Sequence, residues 1–480
     1  MRLDEYTKLD ATALARCIRR GEITATEAAE LGVRAIERVN PDLNAVIEVF
    51  EDRVEMPNAR DGLLAGVPIL NKDFSFSDAG RLQEMGSRLA EGYRPGFDSS
   101  SVKRLKSGGL NIIGRTTTPE FGNSGLTENL LTGVSRNPWD TACTPGGSSG
   151  GSAAIVAAGA VPIATAGDGG GSTRTPAALC GLVGLKATRG LIPVGPQKGE
   201  GGSGLTGPFA VTRTTRDCAA VLDILAGFDP GDPYRIEAAP NGYCQALTLP
   251  LDRPLRIAFS TQNWAGPKPR QSNCRAVEDV VRLLGSAGHH IEEATPVFSW
   301  DAFFDATVTV MCANLATGID GLSRALDRPV LPGLLQTSTE ASYQHGKSLS
   351  AVDLLAALGV FNDISRRFAA FFSDYDVLVL PTNVQPAQRL EAAYSCDPKS
   401  GIGAFEYQQN VYSNDHFLAP FNTTGQPSLT LPASMSPDGM PVGVQLVGTM
   451  CEERILLQLA QYLETETNWT DRRPGCHAAA

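Results

Sequence analysis

No block of Lys and Arg, no long apolar run, few aromatic residues (7%) and only five histidines characterise this 480-residue chain, and each shortage argues against a class of function. With a formal net charge of -11 and no basic stretch, nucleic acid and anionic membranes are disfavoured as partners, because both require a positive footprint. The longest weakly polar run, "SAAIVAAGAVPIATAG", is rich in Ala and Gly, is broken by Pro162, and is too short and too weakly apolar to span a bilayer. The opening "MRLDEYTKLD" mixes both charge signs without an apolar core, so no secretory signal is expected and the expected location is cytoplasmic. Ten cysteines are present, but none form a C-x-x-C pair or cluster with histidine at zinc spacing. Reduced thiols and no metal are expected, with Cys180 a buried structural thiol.

What the chain does contain is punctuation between short periodic segments. Fifty Gly and 31 Pro within a composition that is 42% hydrophobic describe a folded protein with many loops. "TATEAAELGVRAIERVNP" opens on the capping box of Thr24 and Glu27, keeps Leu31, Ala35 and Val39 on one face, and predicts a helix stopped at Asn40 and Pro41. Strands are predicted at 43–50 and 66–70, and a helix at 100–109 leads into a strand at 110–114. Helices at 152–159, 214–228, 276–288, 353–375 and 452–464 then alternate with apolar strands at 161–165, 181–188, 254–260 and 376–382. "PSLTLPA" and "PVGVQLVG" flank the turn "SPDGM" as a hairpin. Such alternation predicts an α/β layered architecture. No repeat or linker forces a division, so residues 1–480 are expected to form one domain, with surface loops at 229–252 and 262–272.

Two glycine-serine knots, "CTPGGSSGGSAA" and "AGDGGGSTRTPA", are wedged between periodic apolar segments, and so are built loops and not flexible spacers. Neither carries the G-K-[ST] ending of a phosphate loop or the dinucleotide G-x-G-x-x-G. "GGSSG" fits G-x-S-x-G, which would make Ser148 the nucleophile of a histidine-dependent esterase, but the turn-like "NPWDTACTPGG" precedes it where a buried strand is required. None of the five histidines has a recognisable catalytic setting. A serine working without histidine needs another proton acceptor, and a lysine serves only if its amine is held neutral by burial without a paired carboxylate. In "AGVPILNKDFSF", Lys72 follows an apolar strand and would emerge from a buried layer; the alternative is that it simply pairs with Asp73 at the surface.

At this point the residues resemble a known family, the amidase signature hydrolases. "GVPILNKD", "TPEFGNSGLTEN", "NPWDTACTPGGSSGGSAA", "GDGGGSTRTPAALCGLVGLKAT" and "PFNTTGQPSLTLPA" followed by "GMPVGVQLVG" match its blocks in order, over about residues 10–465. The resemblance implies a single α/β/α domain around a large mixed sheet, with a catalytic core at about 60–225 and a more variable pocket region at about 230–420. It implies Ser172 as nucleophile, Ser148 as a relay serine in a cis peptide with Gly147, and Lys72 as general base. The backbone amides of Gly169, Gly170, Gly171 and Ser172 would form the oxyanion hole, a contact worth roughly 3 to 4 kcal/mol, with Asp168 and Arg174 bracing the loop. Gly122, Asn123, Ser124 and Thr127 fall in a block bordering the acyl pocket, while Cys312 and "YQQNVYSN" are placed on the leaving-group side.

The implied reaction is hydrolysis of a small linear, cyclic or aryl amide, or of an ester or carbamate, at C–N bonds other than peptide bonds, without cofactor or metal. A homodimer is implied by resemblance alone. The glycine triplet resembles the branch holding 6-aminohexanoate cyclic dimer hydrolases and arylacylamidases. A glutamine amidotransferase component is the alternative within the family, disfavoured because Thr175 and Pro176 stand where that component usually has Gln-Pro. Outside it stand the histidine-dependent esterase and a non-catalytic binding protein.

Overall fold

Residues 1–57 and 61–480 are described in a computed structural model of the chain. Thirteen strands occur among them: β1 (Val46–Val49), β2 (Pro68–Lys72), β3 (Asn111–Thr116), β4 (Glu128–Asn129), β5 (Gly133–Val134), β6 (Ile163–Asp168), β7 (Val183–Lys186), β8 (Gly207–Thr212), β9 (Arg256–Phe259), β10 (His290–Glu293), β11 (Val377–Pro381), β12 (Ser428–Met435) and β13 (Pro441–Gly448). Eleven join one sheet in the order β1, β3, β2, β6, β8, β7, β12, β13, β11, β9, β10, and β4 pairs with β5 separately. Pairing is parallel along β3, β2 and β6 and along β11, β9 and β10, and antiparallel elsewhere in the sheet. The sheet is therefore large and mixed, as expected.

Successive strand residues point to opposite faces, so a strand covered on both sides reads as a continuous apolar run. Ile69, Ile112 and Ile163 enter one core, while their neighbours Leu70, Ile113 and Ala164 enter another. The first core is roofed by helices Ala11–Arg19, Thr215–Leu225, Gln271–Ser286 and Glu453–Thr467, and the second by Ala25–Leu43, Gly150–Ala157 and Arg174–Cys180. A third, aromatic core lies under Trp300–Ala325 and Ala351–Asp374, where Phe303, Phe361, Phe368, Phe417 and Phe421 pack together.

The capping box of Thr24 and Glu27 starts its helix, but the helix continues past Pro41 to Leu43 and stops at Asn44 in the left-handed conformation. Trp300–Ala325 was not expected as a helix; it meets the length and composition of a membrane span, yet it packs on Thr337–Ser348 and Ala351–Asp374 and buries Phe303, Val308, Val310 and Cys312. The loop expected at 229–252 holds one short helix, Tyr243–Ala246. The ten cysteines are all unpaired. Cys180 is wholly buried, its thiol against the Pro145 carbonyl, and burial pushes its pKa well up.

Strand direction sets where chemistry can gather. Lys72 ends β2 and Asp168 ends β6, while β8 begins at Gly207 opposite Asp168. Lys186 ends β7 opposite Ser428, the first residue of β12. All five strand ends meet at one edge of the sheet, beyond the carboxyl ends of β2, β6 and β7, where open α/β sheets place their ligands.

Candidate active site

Lys72 is the last residue of a fully buried strand and is itself 2% exposed. Its backbone N–H donates to Thr165 Oγ1 at 2.8 Å, fixing the strand end beside β6. Its amine lies 2.6 Å from Ser148 Oγ and 3.0 Å from Ser149 Oγ. Burial lowers its pKa from 10.5 to about 7, with the distant charge of Asp168 opposing only in part. Asp73 does not pair with it: that carboxylate takes Arg115 Nη1 at 3.1 Å, and Arg115 also bonds Glu48 and Glu84. Among the described residues Lys72 has no ion pair, so the surface-pair alternative is overturned.

The peptide joining Gly147 to Ser148 is cis. Glycine is required on both sides of this serine by close approach: a Cβ on Gly147 would lie 2.6 Å from the Leu126 carbonyl oxygen, and one on Gly150 2.3 Å from Thr127 Oγ1. Thr127 holds the loop by donating to the Gly146 carbonyl at 2.8 Å. Gly122 stands beside the hydroxyl of Ser148, which a Cβ there would meet at 3.4 Å.

Ser172 lies within the second knot and is half-buried, and its carbonyl accepts from the Ser149 N–H at 3.2 Å. The turn before it is organised by Asp168, which is wholly buried. Asp168 and Arg174 form a bidentate pair, both bonds 2.9 Å, and Asp168 also accepts from the Gly171 N–H at 2.8 Å and Asn422 Nδ2 at 2.9 Å. Burial pushes the Asp168 carboxyl up, but the Arg174 charge and the hydrogen bonds of Arg174 and Asn422 outweigh it and hold the group well below the usual carboxylate range. Arg174 in turn reaches the Leu418 carbonyl, Ser428, Asn422 and Gln445. The Gly171 N–H is engaged by Asp168, whereas the N–H groups of Gly169, Gly170 and Ser172 make no hydrogen bond to a described residue.

The pocket residues separate into two groups. Asn123 and Ser124 join a polar cluster: Asn123 bonds Ser342 and Gln408, and Ser124 Oγ lies 3.1 Å from Tyr394 Oη and 3.2 Å from Cys396 Sγ. Cys312 is 1% exposed, packed with Val308 and Ala404 beside Ser342, and burial raises its thiol pKa to about 12. Within "YQQNVYSN", Tyr407 and Gln408 contact Asn123, while Tyr412 reaches the nucleophile turn. None of the five histidines hydrogen-bonds Ser148 or Ser172 among the described residues; His416 is buried between Trp300 and Phe417, and burial lowers its pKa to about 4.

Sequence reasoning missed Ser149, Asn422 and Lys186, and reached Tyr412 only as one position of a longer segment. Lys186 carried the same signal as Lys72, a lysine ending an apolar strand, and it too is brought to about 7 by burial and then by the charge of Arg174. Its amine donates to the neighbouring Ala187 carbonyl at 2.9 Å, away from both serines.

Fold and site together are those of a hydrolase in which an amine stands beside paired serine loops. The amidase family model matches residues 27–457, and the chain belongs to the amidase signature family. It is 34% identical to the 6-aminohexanoate-cyclic-dimer hydrolase of Paenarthrobacter ureafaciens, covering 97% of this chain and 96% of that one. It is 32% identical to the 6-aminohexanoate-cyclic-dimer hydrolase of Pseudomonas sp. (strain NK87), again over 97% and 96% of the two chains. Among solved structures, a 6-aminohexanoate cyclic dimer hydrolase complexed with substrate superposes with a TM-score of 0.92 at 31% identity, covering 98% of this chain and 99% of that one.

Proposed function

We propose that the chain hydrolyses small amides, cyclic amides among them, through an acyl-enzyme on Ser172. Neutral Lys72 accepts the proton of Ser148 as Ser148 accepts that of Ser172, whose oxygen attacks the carbonyl carbon. The tetrahedral intermediate collapses as the same relay protonates the leaving amine and the C–N bond breaks. Water then gives a proton to Ser148 as Ser148 passes its own to Lys72, attacks the ester carbonyl, and the C–O bond breaks as the relay returns that proton to Ser172 Oγ. The observation that carries this reading is the buried, carboxylate-free amine of Lys72 at 2.6 Å from Ser148 Oγ. The amides of Gly169, Gly170 and Ser172 serve the oxyanion, which preorganised donors stabilise more than they do the ground-state carbonyl.

The cyclic-dimer hydrolases among the relatives support a cyclic or linear amide of an aminoalkanoate over a large polymeric substrate. Ser172→Ala is expected to abolish both turnover and covalent labelling by phenylmethylsulfonyl fluoride mapped by peptide mass. Full activity in that variant, or a label on Ser148 alone, refutes the proposal. A panel of cyclic, linear and aryl amides with esters and carbamates ranks the substrate classes.

A further inference from the structure

We infer that Tyr412 is a further catalytic residue, whose phenolic hydroxyl donates a hydrogen bond to the scissile carbonyl oxygen as that oxygen gains charge. The inference rests on the acyl-enzyme reading above. Tyr412 lies in the helix Ala404–Asp415, its ring packed edge-on against Phe304 at 6.2 Å and only 5% of the residue exposed. Its hydroxyl comes so close to the nucleophile turn that a Cβ on Gly170 would lie 2.9 Å from it.

That approach explains the middle glycine of the triplet. Gly171 needs its residue type for a φ of 128°, but Gly170 is not among the glycines with positive φ. Position 170 is therefore kept free of a side chain by the room that the Tyr412 hydroxyl occupies.

Among the described residues the hydroxyl also lacks a partner. A tyrosine buried to this degree ordinarily bonds its O–H within the protein. The Tyr412 hydroxyl makes no hydrogen bond to any described residue, and it is not sealed off, so it retains an opening. Burial holds the phenol well above its ordinary pKa, so it remains a donor throughout the working range. The site meanwhile has a deficit: the Gly171 amide is spent on Asp168. A phenol beside Gly170, unpartnered among the described residues and protonated throughout the working range, supplies a donor in its place.

Tyr412→Phe removes the hydroxyl alone. Loss of one oxyanion donor lowers kcat by about 100-fold or more, and that is the expected result with KM within a few-fold and the thermal midpoint unchanged. A kcat within twofold of the parent overturns the inference, as does a raised KM with unchanged kcat. Should the phenylalanine variant not fold, 3,5-difluorotyrosine at position 412 keeps the ring and makes the hydroxyl a stronger donor; unchanged kcat then overturns it. Sulfonyl fluoride labelling of the parent protein is read in parallel. A label on Ser172 with normal Tyr412→Phe turnover sinks this inference alone, whereas no label on Ser172 sinks the acyl-enzyme reading itself.

Discussion

The pH dependence of kcat/KM is where the burial of Lys72 becomes measurable. An amine at its ordinary pKa of 10.5 would be neutral in about one molecule in 3,000 at pH 7, whereas one at about 7 is neutral in about half. The general base must be the neutral form, so activity rises with pH, passes half its maximum near pH 7, and at pH 5 falls to roughly a hundredth of the plateau. The carboxyls of Asp73, Glu120 and Asp415 are also brought to about 7 by burial, so the limb must be assigned. Amine ionisation is strongly endothermic and carboxyl ionisation nearly athermal, so the limb should move to lower pH on warming. Lys186→Met is expected to leave it in place. Lys72→Met is expected to lower the plateau by about three orders of magnitude or more, consistent with loss of a general base and of the relay it drives. Its effect on stability has the opposite sign. Between about pH 7 and 10.5 the unfolded chain holds a proton on Lys72 that the folded one lacks, so stability rises with pH across that window and burial of the amine is costly below it. Replacing the amine by a thioether therefore raises the thermal midpoint at pH 7, by the equivalent of a few kcal/mol, and the gain shrinks toward pH 10.5. A limb centred above pH 9, a limb that does not move on warming, or a Lys72→Met variant that works at near-normal rate refutes the assignment.

Asp168→Asn leaves Arg174 as a buried charge without its carboxylate, which ordinarily costs about 3 to 5 kcal/mol; denaturant unfolding should show a loss of that size together with lost activity. Gly171→Ala places a Cβ 2.7 Å from Leu418 Cδ1 at a φ of 128°, so the turn must move, and kcat is expected to fall at least tenfold even if the variant folds; native kcat would show that the turn geometry is dispensable.

Lys72 stood out because a lysine just after "GVPIL" can emerge at the edge of a buried layer, although pairing with Asp73 stayed open until the fold gave that carboxylate to Arg115, and the glycine knots stood out because no spacer is built that way. The same logic, applied to "GLVGLK", would have found Lys186; the family resemblance singled out Lys72, and the fold agrees, for of the two amines it is the one of Lys72 that reaches the loop of Ser148. Asn422 was out of reach of local pattern, for it meets Asp168 across 254 residues of sequence. Tyr412 lies on a helix whose polar and apolar positions show no clear stripe, and its use depends on a turn far upstream in the chain. The helix Trp300–Ala325 escaped because it is apolar on several faces, so the 3.6-residue contrast that marks a surface helix is weak. Pro41 misled for a local reason: Asn40 Oδ1 accepts from the N–H groups of Ala45 and Val46, which allows one further turn before the chain reverses at Asn44.

The electrostatics of the sheet edge come down to a single carboxylate and who holds it. Asp168 is wholly buried, and its field reaches both Lys72 and Lys186, raising the pKa of each. Left unpaired, a carboxylate at this position would favour an ammonium at Lys72 and remove the base. Arg174 prevents this by taking both oxygens at 2.9 Å, while Asn422 and the Gly171 amide use what acceptor capacity remains. The arginine is thus needed by the lysine it never touches. Burial then outweighs what remains of the Asp168 field at Lys72, and the two hydroxyls within 3.0 Å of its amine solvate that neutral form without adding charge. Removing the guanidinium should consequently move the activity limb to higher pH as well as destabilise the fold, and a variant that loses stability while its limb stays near pH 7 would show that Arg174 only braces the turn.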